Sequence, residues 1–576
     1  MSSTLTPAAM NHRRLPNTWD LAAFVAVLGV LAAVAAAARG TVMPIAALGA
    51  GTIHLDPRYL PGYALRTTMR MFAALVASLL FTFTYATWAA KSRRAARVLI
   101  PILDILQSVP ILGFLSFTVA FFLRLFPGNV LGLELAAIFA IFTSQAWNMA
   151  FSFYQALTTL PADLEEVSRG FRLTGWQRFW RLEVPFAMPG LVWNTMLSMS
   201  GGWFFVVASE AITLGNKTWQ LPGVGAYVAK ALEQRNIGAV FWAIGAMLLV
   251  ILAYDQLLFR PLVAWSAKFR VETTAGATAE DPWMLAILRR TALLRRGGEE
   301  FGHLVGFVTG LPLRLPSLRR TSERSPTSTM AGDIVFSTIV AAIVAFAGWH
   351  TVSFISQTLH WSDLGQAVML GGITLMRVVV LIALASLVWV PVGIWLGLRP
   401  AWARRVQPIA QFLAAFPANL LFPPFVVVIV TFHLNPDIFL TPLMILGTQW
   451  YILFNVIAGA AAYPGDLQEV ARNFRVGGFL WWRRVIFPGI FPYFVTGALT
   501  ASGGSWNAAI VSEVASWGHT RLVAHGLGAY IAQATDAGDF HKIVLGVVVM
   551  SAFVVTFNRL LWRPLYHYAS RRSVLG

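Results

Sequence analysis

The chain has 576 residues, of which 57% are hydrophobic and 12% are charged, and its formal net charge is +18. Soluble proteins carry about 25% charged residues, and many stretches here exceed the ~20 apolar residues that cross a bilayer as a helix, so we predict an all-α polytopic membrane protein. The absence of cysteine excludes disulfides and thiolate chemistry, and the excess of Lys and Arg indicates cytoplasmic loops rather than a surface for nucleic acid.

The first apolar run, 21–38, follows a polar and basic N-terminal stretch. No small-residue cleavage site comes after it, so we predict a retained span and not a removed signal peptide. Hydropathy predicts six spans in this half of the chain, at about 21–38, 69–90, 98–123, 131–155, 186–212 and 237–260. Pro110 predicts a kink or break in the third of them.

A charged stretch, DLEEVSRGFRLTGWQRFWRLEVP, separates the fourth and fifth spans, and we call residues 161–185 the first charged loop. Asp163 is predicted to cap a short helix whose first turn carries Glu166. Gly175 is predicted to divide this helix, and Pro185 to mark the start of span five. The pattern predicts a helix–turn–helix on the membrane surface, and a solvated loop anchored by Trp and Arg is the alternative.

The segment 266–331 joins the two halves and has a different composition, rich in Arg, Ser and Thr. Its apolar runs WMLAILRRTALL and LVGFVTGLPL are too short to cross a bilayer. We predict a flexible linker with an amphipathic helix on the inner membrane surface, and a docking site for a partner is the alternative.

The second half repeats this organisation. Its six predicted spans lie at about 333–350, 371–398, 406–433, 438–460, 489–515 and 541–562. Pro417 predicts a break in the third span, as Pro110 does in the first half. The second charged loop, 464–488, contains DLQEVARNFRVGGFLWWRRVIFP between its fourth and fifth spans.

The two charged loops align without a gap when the sequence is shifted by 303 positions. The alignment continues to the Arg-Pro-Leu that follows the sixth span of each half, so the chain is a tandem duplication. Its landmarks include the pairs Asp163/Asp466, Glu166/Glu469, Arg169/Arg472, Gly175/Gly478, Arg181/Arg484, Pro185/Pro488, Trp203/Trp506, Glu210/Glu513 and Gly225/Gly528.

Most basic clusters fall on one side of the predicted membrane. They include KSRRAAR, RPAWARR, both charged loops, the linker and the basic C-terminal residues, whereas Arg58, Arg66 and Arg70 fall on the other side. Basic short loops stay in the cytoplasm, so we predict that both charged loops and both termini are cytoplasmic.

The segments EVSRGFRLTGWQRFWRLEVP and EVARNFRVGGFLWWRRVIFP resemble the EAA loop of permease subunits of binding-protein-dependent ABC importers. In that family a Glu precedes a Pro by nineteen residues, as Glu166 precedes Pro185 and Glu469 precedes Pro488. The resemblance implies two type I permease domains of six helices each, 1–265 and 332–576, in the bacterial inner membrane. It implies that two ATPase subunits bind ATP and contact the loops, here at Asp163, Glu166, Arg169, Gly175, Arg181, Pro185, Asp466, Glu469, Arg472, Gly478, Arg484 and Pro488.

The family usually has a glycine six positions after the Glu, where this chain has Arg172 and Arg475. We therefore expect the docking geometry of the loops to differ there. The resemblance also implies an external substrate-binding protein as a partner, and no cofactor bound by this chain itself.

The fifth spans contain GGWFFVVASEAI and GGSWNAAIVSEVA, which resemble the nitrate/sulfonate/taurine group of these permeases. Trp203 and Glu210 are seven residues apart, as are Trp506 and Glu513, so each pair shares a helix face. Intramembrane carboxylates usually face the bundle interior or a water-filled cavity, so we predict that these four residues line the translocation pathway. The alternative is that each carboxylate is held by an Arg or by backbone donors of a neighbouring span.

The outer segments 213–223 and 516–526 carry Lys217, Arg521, His519 and His525. Their positive potential would favour an anion, and ordinary surface charge is the alternative. We predict an importer subunit for a small, polar, anionic solute of the nitrate, sulfonate, taurine or bicarbonate type. The alternative is an ion-gradient-driven carrier built from two repeats. The sequence has no phosphate-binding G-x-x-x-x-G-K-[ST] and no metal-ligand pattern, so we predict a non-catalytic subunit.

Overall fold

The computed structural model describes residues 53–108, 111–214, 217–269, 291–313, 326–463, 465–518 and 520–572, with positions 24, 28, 29, 32, 35, 41 and 43–48 before them. Helices dominate this part of the chain, which confirms the predicted all-α class. The first span, 21–38, falls largely outside the described residues, and Pro110 lies outside them altogether.

The first half is a succession of long apolar helices separated by short ones. Its α-helices are Leu60–Phe81, Thr87–Lys91, Arg93–Ser108, Leu115–Leu125, Leu131–Thr158, Ala162–Gly170, Gly175–Arg178, Val184–Ser209, Val224–Glu233, Ile237–Tyr254 and Arg260–Ser266. Five-residue π-helical turns join neighbouring helices at Thr82–Ala86, Phe179–Glu183 and Asp255–Phe259. Helix Ala292–Gly310, here called the linker helix, lies in the segment between the halves.

The second half repeats this order. Its α-helices are Pro326–Ile355, Trp361–Gly397, Pro400–Ala415, Phe422–Thr431, Pro436–Phe439, Gln449–Ala461, Gly465–Asn473, Gly478–Trp481, Phe487–Ser512, Leu527–Ala537, Phe540–Phe557 and Arg563–Arg572. The π-helical turns Trp482–Ile486 and Asn558–Trp562 lie 303 positions after two of those in the first half. This matching order at a constant shift agrees with the duplication predicted from the sequence.

Within the described residues, eight helices are long and apolar enough to cross a membrane. Two bent pairs would raise this number to ten, namely Pro400–Ala415 with Ala418–Thr431, bent by 80°, and Pro436–Met444 with Gln449–Ala461, bent by 42°. The sharper bend lies at Pro417, which confirms the predicted break in that span. Proline causes such breaks because it lacks the N–H that continues the helix.

Each fifth span is followed by a short antiparallel hairpin, which the sequence analysis did not predict. Strand Ala211–Leu214 pairs with Lys217–Gln220, with Ala211 opposite Gln220. Strand Val514–Trp517 pairs with Thr520–Val523, with Val514 opposite Val523. β-branched and aromatic residues in these short segments favour strands over the helices that surround them.

The fifth span does not begin at Pro185, as predicted, but continues from the charged loop. The apolar helix runs unbroken over Gly175–Ser209, and its counterpart runs over Gly478–Ser512. In both, a π-helical turn immediately precedes the proline-containing stretch. In a π-helical turn the backbone N–H groups bond to the carbonyl five residues back instead of four. This local change accommodates the proline, which has no backbone N–H, so the helix continues through it.

The predicted capping role of Asp163 is wrong. Helix Ala162–Gly170 has Pro161 at its N-cap and no side-chain cap, and Asp163 lies inside its first turn. A carboxylate there still interacts favourably with the helix dipole. The second helix of the loop is capped instead by Thr174, whose hydroxyl accepts from the amide of Gln177 while the Gln177 side chain accepts from the amide of Thr174. Helix Gly465–Asn473 likewise begins before Asp466, whose side chain is not described.

The chain forms two compact units by its internal contacts. One contains 159–192 and 254–317, and therefore the first charged loop and the linker helix. The other contains 41–158, 193–253 and 318–576. In this second unit, Asn507 Oδ1 accepts a hydrogen bond of 2.6 Å from the amide of Ile111, and Asn419 Nδ2 donates one of 3.0 Å to the carbonyl of Phe204. These bonds join parts of the two repeats within one core.

Candidate functional site

A buried ion-pair cluster lies at the end of the first half's fifth span. Arg70, on helix Leu60–Phe81, donates from Nη2 to Glu134 Oε1 at 2.8 Å and from Nη1 to Glu210 Oε1 at 2.6 Å. All three side chains are at most 4% exposed. One guanidinium thus pairs with carboxylates from two other segments of the chain, and this pairing offsets part of the cost of burying the three charges in an apolar core.

Glu210 is also held by neutral donors. The Thr67 hydroxyl donates to its Oε1 at 2.7 Å, and the amide of Gly225 donates to its Oε2 at 2.7 Å. The same Thr67 oxygen accepts from the amide of Val224 at 3.0 Å. The carboxylate therefore binds the first turn of helix Val224–Glu233, where the free amides of a helix N-terminus favour an anion.

The second half builds a matching cluster, in which the threonine, the arginine and the two acids are equivalent residues. Arg377 donates from Nη1 to Glu513 Oε1 at 3.2 Å and from Nη2 to Asp437 Oδ1 at 2.8 Å. Thr374 donates to Glu513 Oε1 at 2.9 Å, and the amide of Ala529 donates to Glu513 Oε2 at 3.0 Å. The arrangement of Thr, Arg and two acids thus occurs twice, once in each repeat.

The two clusters differ in their contact with solvent. Glu134 in the first cluster is 4% exposed, whereas the equivalent Asp437 is 35% exposed. Asp437 accepts a hydrogen bond from the amide of His525, and its Oδ2 lies 2.9 Å from His525 Nδ1, on an imidazole that is 77% exposed. The second cluster therefore extends to the surface, while the first is closed.

Two glycines allow the clusters to form by close approach. A Cβ on Gly223 would lie 2.3 Å from the Glu210 carboxylate, and a Cβ on Gly526 would lie 2.2 Å from that of Glu513. Heavy atoms cannot approach so closely, so each carboxylate occupies space that only glycine leaves open. Gly225 and Gly528, paired in the sequence, are similarly crowded by backbone atoms of Val207 and Ala509.

The four residues predicted to line a pathway are all inside the packed protein. Trp203, Trp506 and Glu210 are 0% exposed, and Glu513 is 1% exposed. For the carboxylates, the structure has the geometry of the alternative, in which an Arg of a neighbouring span and backbone donors hold the acid. Their role in the pathway stays a prediction.

Sequence reasoning missed the partners of these acids. Arg70 was noted only as a basic residue on the less basic side, and Thr67, Thr374, Arg377, Glu134 and Asp437 were not singled out. One signal was available. The second spans contain TTMR at 67–70 and TLMR at 374–377, but their shift is 307 positions, so an ungapped comparison at 303 does not align them.

The cations of the outer segments are partly neutralised. Arg521 pairs with Asp536 at 2.6 Å, and both side chains are more than a third exposed. His525 contacts Asp437, as described above. The side chains of Lys217 and His519 lie outside the described residues. The geometry therefore favours ordinary surface pairing for Arg521 over a free cation.

The charged loops expose most of their predicted residues, whereas Gly175 and Pro185 are half-buried and the side chain of Asp466 lies outside the described residues. Asp163, Glu166 and Arg169 are exposed on helix Ala162–Gly170, as are Glu469 and Arg472 on helix Gly465–Asn473. The first residue of the second short helix is Gly175 in one loop and Gly478 in the other, and Gly478 has a φ of 60° that favours glycine. Arg181 and Arg484 lie in the π-helical turns and are exposed, and Pro185 and Pro488 lie in the helices that follow.

The arginines that replace the family's glycine adopt left-handed backbone conformations. Arg172 has a φ of 51° and Arg475 a φ of 52°. Each ends the first helix of its loop, beside an exposed phenylalanine, Phe171 or Phe474. A residue with a Cβ is strained by about 1–2 kcal/mol in this region, which explains why glycine is suited to the position.

We expect Arg172→Gly and Arg475→Gly to stabilise the loops, each by about 1 kcal/mol, because glycine adopts a positive φ without this strain. The measurement is thermal unfolding of the purified chain in detergent. Arg169→Gly is the control, because Arg169 lies within a helix and glycine there is expected to cost about 1 kcal/mol. Equal destabilisation by all three substitutions would contradict the assignment of strain.

Ion pairs hold the first charged loop together but do not recur in the second. Arg178 contacts Glu165 at 2.5 Å and Glu183 at 3.1 Å, so it ties the short helix to the start of the span. The equivalent positions in the second loop are Gln468, Trp481 and Ile486. Trp481 instead packs edge-to-face against Trp482. The two loops therefore have the same order of short helices, but different side-chain interactions stabilise them.

Comparison with known proteins identifies matches in both halves. The profile of the family described as "Binding-protein-dependent transport system inner membrane component" matches residues 82–259 and 389–572. Each match contains one charged loop and one Glu of the ion-pair clusters at the end of a fifth span.

Individual relatives match about a third of the chain. The bicarbonate transport system permease protein CmpB of Synechococcus elongatus is 29% identical over 186 residues, which cover 32% of this chain and 64% of the relative. The nitrate import permease protein NrtB of Leptolyngbya laminosa is 25% identical over 187 residues, 32% of this chain and 63% of the relative. The glycine betaine/proline betaine transport system permease protein ProW of Escherichia coli is 28% identical over 194 residues, which cover 33% of this chain and 49% of the relative. Each alignment spans less than two thirds of its relative.

Proposed function

The chain belongs to the family of binding-protein-dependent transport system inner membrane components, and from this premise we propose that it supplies both membrane halves of an ATP-driven importer. The observation that carries the proposal is the double match, 82–259 and 389–572, with one charged loop in each. One chain then contains both permease domains, which would otherwise be two separate subunits. Two ATPase subunits are its partners, one for each loop, and they bind and hydrolyse the ATP.

The charged loops 161–185 and 464–488 are the coupling elements in this proposal. Glu166 and Glu469 are exposed, as are Arg169 and Arg472, and both loops continue without a break into the fifth spans. A force applied to either short helix by a soluble subunit is therefore transmitted along a continuous helix into the membrane core. Closure of the ATPase pair would move both loops and switch the halves between inward- and outward-facing states.

The substrate we propose is a small, polar, anionic solute of the nitrate, sulfonate, taurine or bicarbonate type, delivered by an external binding protein. Bicarbonate and nitrate permeases are among the relatives, and this supports an anion. The betaine permease is a relative of comparable identity, so a zwitterion is the competing class. In this proposal the chain lies in the bacterial inner membrane, with both charged loops and both termini cytoplasmic.

The test is uptake in proteoliposomes that contain the full chain, its co-purified ATPase subunits and the binding protein. The double substitution Glu166→Arg and Glu469→Arg is expected to lower ATP-dependent uptake at least tenfold, or to abolish co-purification, because it reverses the charge of both docking helices. Glu300→Arg is the control, since Glu300 is exposed on the linker helix outside both loops. Full uptake by the double variant would overturn the coupling role, and uptake that needs an ion gradient but no ATP would favour a secondary carrier.

A further inference from the structure

The linker helix ends against the first charged loop. The Trp176 indole donates from Nε1 to the carbonyl of Val308, and the Gln177 amide donates from Nε2 to the carbonyl of Gly310, each at 2.8 Å. The last four carbonyls of an α-helix have no partner within the helix, so these two side chains cap its C-terminus. The Arg181 guanidinium lies beside the same end, where a Cβ on Gly310 would be 3.1 Å from Nη2 and where the helix dipole favours a cation.

The second charged loop lacks these donors. The positions equivalent to Trp176 and Gln177 are Phe479 and Leu480, which are 79% and 53% exposed. Neither side chain can donate a hydrogen bond, so the second loop cannot cap a helix end in this way. The capping pair is therefore a feature of the copy that contacts the linker helix, and not of the repeated loop itself.

The last two turns of the linker helix expose an apolar face. Leu304, Phe307 and Val308 are 61%, 71% and 41% exposed, and their spacing of three and four residues places them on one side. The chain on either side of the linker enters helices apolar enough to cross a membrane, Ile237–Ser266 and Ile334–Ile355. Hydrogen bonds to Trp176 and Gln177, in the first turn of the apolar helix Gly175–Ser209, keep the linker helix near the lipid surface, so the lipid headgroup–acyl boundary is the occupant that fits its apolar face.

We propose that the linker helix is a membrane-surface helix that anchors the first charged loop to lipid through Trp176 and Gln177, and that the second loop has no such anchor. The two loops are then mechanically unequal. The further consequence, that one ATPase subunit acts on an anchored loop and the other on a free loop, rests on the proposed function. The anchor itself does not.

The first test measures backbone hydrogen exchange of the full chain in lipid nanodiscs. The double substitution Trp176→Phe and Gln177→Leu gives the first loop the residues of the second. We expect exchange in Leu304–Gly310 and in the first loop to become about tenfold faster, because two hydrogen bonds are lost. The reciprocal variant, Phe479→Trp with Leu480→Gln, is the matched control and should change neither segment. Unchanged exchange in the first variant would overturn the anchor.

The second test locates the apolar face. The chain has no cysteine, so a single cysteine introduced as Phe307→Cys, or as Gly302→Cys on the opposite side of the helix, can carry a spin label. The ratio of collisions with membrane-soluble oxygen to collisions with a water-soluble nickel chelate should be at least tenfold higher for the label at 307 than for the label at 302. Equal access of both labels to the chelate would overturn the assignment to lipid. Shielding of position 307 only after ATPase subunits are added would assign the face to that protein instead.

Both readouts are independent of transport. If the proposed importer function is wrong, no ATP-dependent uptake is observed in proteoliposomes. Hydrogen exchange and label accessibility still report on the linker helix in that case. If the anchor fails, the variant Trp176→Phe with Gln177→Leu exchanges at the same rate as the unchanged chain, while ATP-dependent uptake persists.

Discussion

Arg70→Met is expected to lower the free energy of unfolding by about 3–5 kcal/mol, because it removes one partner of a buried ion pair and leaves the others charged. Methionine fills much of the space of the arginine stem and supplies no positive charge. The carboxylates of Glu134 and Glu210, each at most 4% exposed, would then repel each other without a positive charge between them. The measurement is denaturant or thermal unfolding of the purified chain in detergent, with the folded yield as a second readout.

Two further variants isolate the charge effect. Arg377→Met is expected to be less destabilising, because Asp437 is 35% exposed and remains hydrated after the arginine is lost. Combining Arg70→Met with Glu134→Gln and Glu210→Gln should recover much of the loss, because no buried charge then remains unpaired. If the Arg70→Met variant were as stable as the unchanged chain, the cluster would contribute little to the free energy of unfolding, and the expectation from its burial and short contacts would be wrong.

The repeat and the spans were accessible to sequence reasoning because they depend on local properties. Apolar runs of about twenty residues predict membrane helices without knowledge of any contact. The shift of 303 positions from Asp163 to Asp466 predicted two matching loops, and both fold as a pair of short helices. Pro417 likewise predicted a break, because a missing backbone donor acts on its own helix.

The ion-pair clusters were not accessible in this way because their partners are distant in sequence. Glu134 lies 64 residues and Glu210 140 residues from Arg70. Their pairing depends on how helices Leu60–Phe81 and Leu131–Thr158 pack, which hydropathy does not report. The start of span five was missed for a local reason. A proline usually marks a helix start, but a preceding π-helical turn allows the helix to pass through Pro185.

The charged loops show what a departure from a family pattern can contribute. The sequence marked Arg172 and Arg475 as unusual, and the structure places both at a positive φ where glycine carries no strain. The strain is kept in both copies, beside exposed Phe171 and Phe474. Strained residues persist where the surrounding structure or a function holds them, so we regard these positions as the part of each loop to vary first when docking is measured.

Trp506→Ala is expected to lower the free energy of unfolding by about 3–5 kcal/mol, because a fully buried indole is replaced by a methyl group and a cavity remains. Trp506 is 0% exposed and stacks on Phe553 with ring centroids 6.3 Å apart. Unfolding in detergent measures the loss. Trp349→Ala is the control, since Trp349 is 75% exposed on helix Pro326–Ile355 and its removal leaves no cavity in the core.

The same variant decides whether Trp506 lines the translocation pathway, as predicted, or fills the protein core. A tryptophan that lines the pathway would be dispensable for stability, and its removal would change the rate or selectivity of uptake per folded chain. A tryptophan that fills the core would lower the folded yield, with unchanged uptake per folded chain, and Trp506→Phe would restore most of the stability. Trp203, also 0% exposed, gives the independent repeat of the experiment in the other half. The burial of both rings predicts the core outcome, whereas full stability of both alanine variants with altered uptake would return these residues to the pathway.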